Sequence, residues 1–207
     1  MARRGRDETV GPDGRERLLA ATIAHLETRS AASLRVTDIA EQAGVAIGLI
    51  RHHFGSRDGM IAEAQQRRLE GATRSDIETA RKALTKVRDF DALTDALVAM
   101  TRQTVSRRRA AQRLSRFAAI ATAHGRPDAQ AGIGATFGDL IDEMAGLIRE
   151  AQVRDLVRRD LEARALATFI QAYALGMLVH DLDPDAVDEE RLVAVVTESL
   201  RAILAPA

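Results

Sequence analysis

The 207-residue chain contains no cysteine, no tryptophan, four prolines and one tyrosine, and its formal net charge is zero. Without cysteine there is neither a disulfide nor a thiolate metal site, so the fold has to rest on apolar burial. No apolar run reads as long enough to cross a bilayer. The opening stretch, MARRGRDETVGPDG, is basic but has no apolar segment behind it, so the expectation is no secretory signal and a cytoplasmic location. Strand-period alternation of β-branched residues is absent. A glycine-rich phosphate loop, a Ser/His/Asp arrangement and zinc-ligand spacing are absent too, so no catalytic residue, metal or cofactor is implied.

Zero net charge hides an uneven distribution. Arg3, Arg4 and Arg6 open the chain, whereas carboxylates outnumber arginines from Asp155 onward. The two ends should therefore face different partners.

What the chain does have is helical periodicity and a hydrophobic content of 46%, enough for a sizeable core. The stretch from Leu34 to Met60 organises the rest. Val36, Ile39, Ala40 and Ala43 recur at helical spacing, Gly44 interrupts them, and Val45, Ile50 and Phe54 restart the pattern on a new axis. This predicts two short helices joined at Gly44, where a sharp reversal favours a left-handed backbone. The second helix sets Ala46, Ile47, Gly48, Leu49, Arg51, His52 and His53 around Ile50 and Phe54. Its outer face is small, apolar or basic and carries no carboxylate, which suits it to lie against DNA. The competing reading is an ordinary helical hairpin with solvated Arg51, His52 and His53.

The run T-D-I-A-E-Q-A-G-V-A-I-G-L-I-R-H-H-F-G-S-R-D-G-M resembles the DNA-binding signature of the TetR (tetracycline repressor) family. The resemblance extends back through RERLLAATIAHLETRS and covers roughly residues 13 to 62. Its D-I-A, A-G-V, H-x-F and S-[KR]-[DE] elements stand in the family's order and spacing. The remaining residues fit the family in length and helical character only.

The resemblance implies an all-α fold. A flexible basic arm over 1–12 would precede a three-helix helix-turn-helix domain over 13–58, and a larger helical effector-binding and dimerisation domain would occupy 59–207. It further implies a homodimeric regulator, in most members a repressor, released from a palindromic double-stranded operator by a small-molecule effector. The alternative is a helical adaptor that binds only protein. Contacts to DNA carry over to Thr37, Ala46, Ile47, Gly48, Leu49, Arg51, His52, His53 and Arg57, with Gly44 as the turn. This chain departs from the family at several of these places. Ala46 and Leu49 replace common hydroxyl residues, Arg51 replaces a tyrosine, and Ser30 and Arg35 replace the usual glycine and the threonine that caps the second helix.

Periodicity predicts further helices over about 57–85, 89–106, 108–123, 128–153, 159–181 and 185–204, after a first helix over 14–29. Ser56 reads as the N-cap of the longest. The breaks fall at HGRPDA and DLDPDA. Apolar stripes along these helices are usually core, but in proteins resembling this one part of that core is hollow. Met100, Gln103, Arg113, Phe117, His124, Phe137, Met144, Phe169, Tyr173 and Met177 are the expected effector-binding residues, with Gln171 beside them. So few aromatics make a poor cage for a quaternary ammonium. Second apolar faces carrying Ala172, Leu175, Gly176 and Val179, then Leu192, Val193, Val196 and Leu200, are the expected dimer interface.

Overall fold

A computed structural model describes residues 13–206, which form helices and turns and no strand. The expected arm over 1–12 lies outside the described residues. Contacts divide the chain into two compact units, Met1–Arg68 and Leu69–Ala207. The division falls after Arg68 rather than after Asp58, because Met60, Ile61 and Ala64 are buried in the cores of the first unit.

The first unit comprises α1 (Gly14–Thr28), α2 (Val36–Ala43), α3 (Gly48–Phe54) and the first turns of α4 (Arg57–Lys86). Leu18, Leu34, Ile39, Ala40, Ala43, Ile50 and Met60 close around one another. Each fully buried Leu or Ile contributes roughly 1.5–3 kcal/mol over its exposed state. Thr22 is buried among them at no loss, since its hydroxyl donates to the Leu18 carbonyl at 2.8 Å.

Gly44 closes α2 in the left-handed conformation, φ 63° and ψ 40°. Its N–H donates to the Glu41 carbonyl at 3.0 Å and that of Val45 to the Ala40 carbonyl at 3.0 Å, which together satisfy the end of α2 and start the chain on a new axis. At the other end of α2, Arg35 makes no side-chain cap bond, the consequence of losing a hydroxyl there.

The corner into α4 is built as expected, with Ser56 Oγ accepting the Gly59 N–H at 3.0 Å. It is also crowded, because a Cβ on Gly59 would fall 2.1 Å from the Phe54 carbonyl oxygen. Arg57 then reaches back across the unit. Its Nε donates to the Leu34 carbonyl at 3.1 Å and its Nη2 to the Ala31 carbonyl, fastening the segment between α1 and α2.

The second unit contains the rest of α4, then α5 (Phe90–Val105), a 3-10 turn (Arg107–Arg109), α6 (Ala110–Ala123), α7 (Pro127–Val153), α8 (Ala163–Gly176), α9 (Leu178–Leu182) and α10 (Glu189–Leu204). Asp89 caps α5 by accepting the Ala92 N–H at 2.8 Å. Two helices start later than periodicity suggests, because a carboxylate at the cap sets the start. Glu162 accepts the N–H groups of Arg164 and Ala165 at the head of α8, and Asp188 those of Glu190 and Arg191 at the head of α10. The single helix expected over 159–181 is broken at Met177 into α8 and α9.

In the second unit α7 packs on α8 and α5 on α10. Ile77, Leu84, Leu93, Leu140, Leu147, Ile148, Leu166, Leu200 and Leu204 form its main core. This corrects part of the expected dimer face. Val193 and Leu200 are buried inside the subunit and Val196 packs against its core, because α10 turns that stripe toward α5.

The expectation that no apolar run reaches membrane-spanning length does not hold by length and composition. Taken together across the break at Met177, α8 and α9 make a 20-residue stretch, Ala163–Leu182, of mean hydropathy 1.3, long and apolar enough to span a bilayer by length and composition. Only 17% of that window is buried, and Phe169, Val179 and Leu182 stand exposed along it.

Candidate nucleic-acid interface and interior cavity

α3 presents a short basic surface. Ala46, Ile47, Gly48, Arg51 and His52 are exposed, and α3 carries three basic residues in its last turn and no carboxylate. Ile47, at the N-cap, leaves 50% of its surface in solvent, an apolar group displayed on the same short helix as Arg51 and His52. Thr37 is exposed on α2, its hydroxyl held by Asp38 Oδ1 at 3.0 Å.

Not every expected contact shares this surface. Leu49 is half-buried and packs against the core of the first unit, so helical phase turns it inward from Ile47. His53 is half-buried, edge-on to His52 with ring centroids 4.9 Å apart and to Phe54 at 6.2 Å. Arg57 spends its guanidinium on backbone carbonyls and on Asp58. A seven-residue helix with a narrow, uncharged-to-basic outer face fits a major groove about 12 Å wide.

The second unit holds a cavity of about 190 Å³. Of the residues expected there, Met100, Gln103, Arg113, Met144, Tyr173 and the neighbouring Gln171 line it. Five lie elsewhere. His124 is exposed at the C-cap of α6, and Phe169 is 47% exposed on α8. Phe137 packs against Leu69, Ala119, Ala123 and Ile133, Met177 sits at the break between α8 and α9, and Phe117 is half-buried on α6 away from the cavity wall.

Arg113 lines the cavity with four of its five N–H donors already engaged. Its Nε and Nη2 grip both oxygens of Asp181 at 2.6 and 2.5 Å, Nη1 donates to the Thr104 carbonyl at 2.5 Å and Nη2 to the Ser106 carbonyl at 3.0 Å. Both charged side chains are only 6% exposed. The pair joins α6 to α9 and braces that wall of the cavity.

Three charged wall residues were missed in the sequence: Asp76, Arg109 and Arg116. Arg109, Arg113 and Arg116 recur at i, i+4, i+7, the spacing of one helical face, and that periodic signal was available behind the Arg107–Arg109 run. Asp76 accepts from Arg109 at 3.2 Å and from Arg116 Nη2, whose side chain is 12% exposed. Arg116 Nε is buried without a partner. The Tyr173 hydroxyl lies beside Thr101 without completing a hydrogen bond, and burial pushes its pKa up, with Thr101 and Arg113 opposing.

Residues 18–64 match the model of the N-terminal domain of "Bacterial regulatory proteins, tetR family". An HTH-type transcriptional regulator, BetI 2 of Chromohalobacter salexigens, is 40% identical over 58 residues, which is 28% of this chain and 28% of that protein. The chain thus aligns with well under a third of that curated relative. Among solved structures, a transcriptional regulator from Rhodococcus sp. RHA1 shares a TM-score of 0.69 at 15% identity, covering 92% of this chain and 96% of its own. Another, from Saccharomonospora viridis and solved in complex with choline, gives 0.64 at 20% identity, covering 94% and 98%. At such identities these likenesses concern the fold.

Proposed function

On the premise that this chain carries the N-terminal domain of the tetR family of bacterial regulatory proteins, we propose that it is a sequence-specific DNA-binding regulator, acting as a homodimeric repressor that a small molecule releases from a palindromic operator. The observation that carries the reading is the exposed face of α3, which displays Ile47, Arg51 and His52 with no carboxylate on the helix. Ile47 meets thymine methyls while Arg51 and His52 meet phosphates. Arg51 makes a stronger contact than the tyrosine common at its place.

The dimer forms through the outer sides of α8, α9 and α10. Phe169, Val179, Leu182 and Val195 are exposed there, 47%, 74%, 71% and 65% respectively, with exposed Ala172 and Gly176 allowing close approach. A second copy on this surface also accounts for an apolar helix left uncovered in one chain. The effector occupies the cavity of the second unit, and α4, whose residues fall in both units, carries its influence. Hundredfold release requires about 2.8 kcal/mol of unequal ligand binding between the DNA-competent and DNA-released states.

The test is selection of bound fragments from random DNA by the purified protein, followed by binding at graded salt. Selected fragments should share an inverted repeat. Arg51→Ala should weaken binding to all sequences alike and reduce the salt slope by about 0.9 for each phosphate no longer neutralised, whereas Ile47→Ala should change the preferred sequence. Absence of salt-sensitive binding to any fragment ends the reading.

A further inference from the structure

Resting on the effector-cavity reading above, the geometry points to the ligand's chemical class: an amphipathic monoanion, a single carboxylate on an extended apolar body.

The cavity wall is polar at one end and apolar at the other, and α4 measures the separation. Asp76 and Val87 both line the cavity from α4 or the residue just beyond it, and eleven residues of helical rise put them about 16 Å apart. Around Val87 the wall is Leu84, Leu93, Leu147 and Leu200, residues of the main core. That end offers a ligand only apolar contact.

Charge at the other end does not balance. Arg109 and Arg116 both turn to one carboxylate, Asp76, while Arg113 adds nothing because Asp181 neutralises it. One positive charge is left over in a wall where Arg116 is 12% and Arg109 36% exposed, so the excess is partly desolvated and attracts an anion. The hydrogen bonds are unbalanced in the same sense. Arg116 Nε is a buried donor with no acceptor, and the Tyr173 hydroxyl, on the same wall, donates to nothing. A carboxylate supplies the charge and the acceptors together. A neutral ligand of the same shape leaves both wanting, and a cation adds to the excess, so the choline held by the S. viridis protein is the wrong sign for this wall.

The experiment is equilibrium binding of three probes of equal chain length to the full chain, by calorimetry: decanoate, decan-1-ol and decyltrimethylammonium. Decanoate should bind at least tenfold tighter than decan-1-ol, and decyltrimethylammonium weakest. Arg116→Gln should bring decanoate down to the affinity of decan-1-ol while leaving the alcohol unchanged, and Ala83→Trp, which fills the cavity, should abolish binding of both. Equal or tighter binding of the alcohol or the ammonium overturns the ligand class and leaves the cavity reading standing. Decanoate binding that survives Ala83→Trp overturns it as well, by placing the anion elsewhere. No binding of any probe removes the cavity reading and the class with it. The wild-type series decides the matter even if a substituted chain fails to fold.

Discussion

The chain keeps two clusters of basic residues in opposite surroundings. Arg51 and His52 on α3 stand in water, whereas Arg113 and Arg116 in the second unit are 6% and 12% exposed. The same charge acts differently in the two places. At 4 Å a pair of unit charges is worth about 1 kcal/mol in bulk water and about 4 kcal/mol at the effective dielectric of a protein surface region, and salt screens the former within roughly 8–10 Å. Attraction for a polyanion should therefore be tunable by ionic strength, while discrimination inside the cavity should be nearly indifferent to it.

The sharpest way to break this comparison is to unbalance the interior. Arg113→Ala leaves Asp181 buried and unpaired and removes two bonds to the Thr104 and Ser106 carbonyls. The expected loss is about 3–5 kcal/mol in denaturant unfolding, at low and at high salt alike. The double substitution Arg113→Met with Asp181→Leu should recover most of it, since no lone charge remains. A loss under about 1 kcal/mol would mean that water reaches the pair.

A backbone change in the first unit should cost less. Gly44→Val places a β-branched residue at φ 63° and should cost about 1–2 kcal/mol, with DNA binding lost in step because the reversal sets the axis of α3. Gly48→Ala, with nothing within 4 Å of the new Cβ, should leave stability nearly unchanged and serves as the matched control for stability alone.

The smallest effect is read by titration. Tyr173 is the only tyrosine in the chain, so the tyrosinate absorbance reports it alone. Burial raises its folded pKa above the ordinary value of 10.0, so its contribution to stability is present below that value and is lost as pH rises through the folded pKa. Tyr173→Phe should flatten this part of the alkaline stability profile. Ionisation of the wild-type phenol at or below pH 10.0 would show that the wall is wet.

Legibility differed between the two units for a physical reason. The α2–α3 reversal is local: Gly44, the apolar residues on either side of it and the Ser56 cap lie within a few turns of one another, so spacing alone specifies it. Helix starts at Ala163 and Glu189 were missed by four residues each, counting from the expected 159 and 185, because capping carboxylates at Glu162 and Asp188 outweigh apolar period there. The cavity was legible only in part. Met100, Gln103, Arg113, Met144 and Tyr173 line it, but Phe137 and Phe169 sit on equally good stripes and face elsewhere. A stripe tells which side of a helix is apolar, and which neighbour covers that side depends on contacts distant in sequence. Arg57 illustrates the converse, since a cation at a family contact position is taken up by the Leu34 and Ala31 carbonyls.

Gly59 gives one more lesson about what a signature records. A Cβ there would sit 2.1 Å from the Phe54 carbonyl oxygen, which is backbone and cannot swing aside as a flexible side chain can. In a saturation library the position should tolerate no replacement, small or large, polar or apolar, and the failures should look alike. Positions that touch DNA should behave otherwise, each residue type shifting the preferred bases in its own way. A letter of the S-R-D-G-M run would then be retained for the shape of the corner behind α3 and carry no information about the operator, so an alphabet for base recognition compiled from this signature should leave it out.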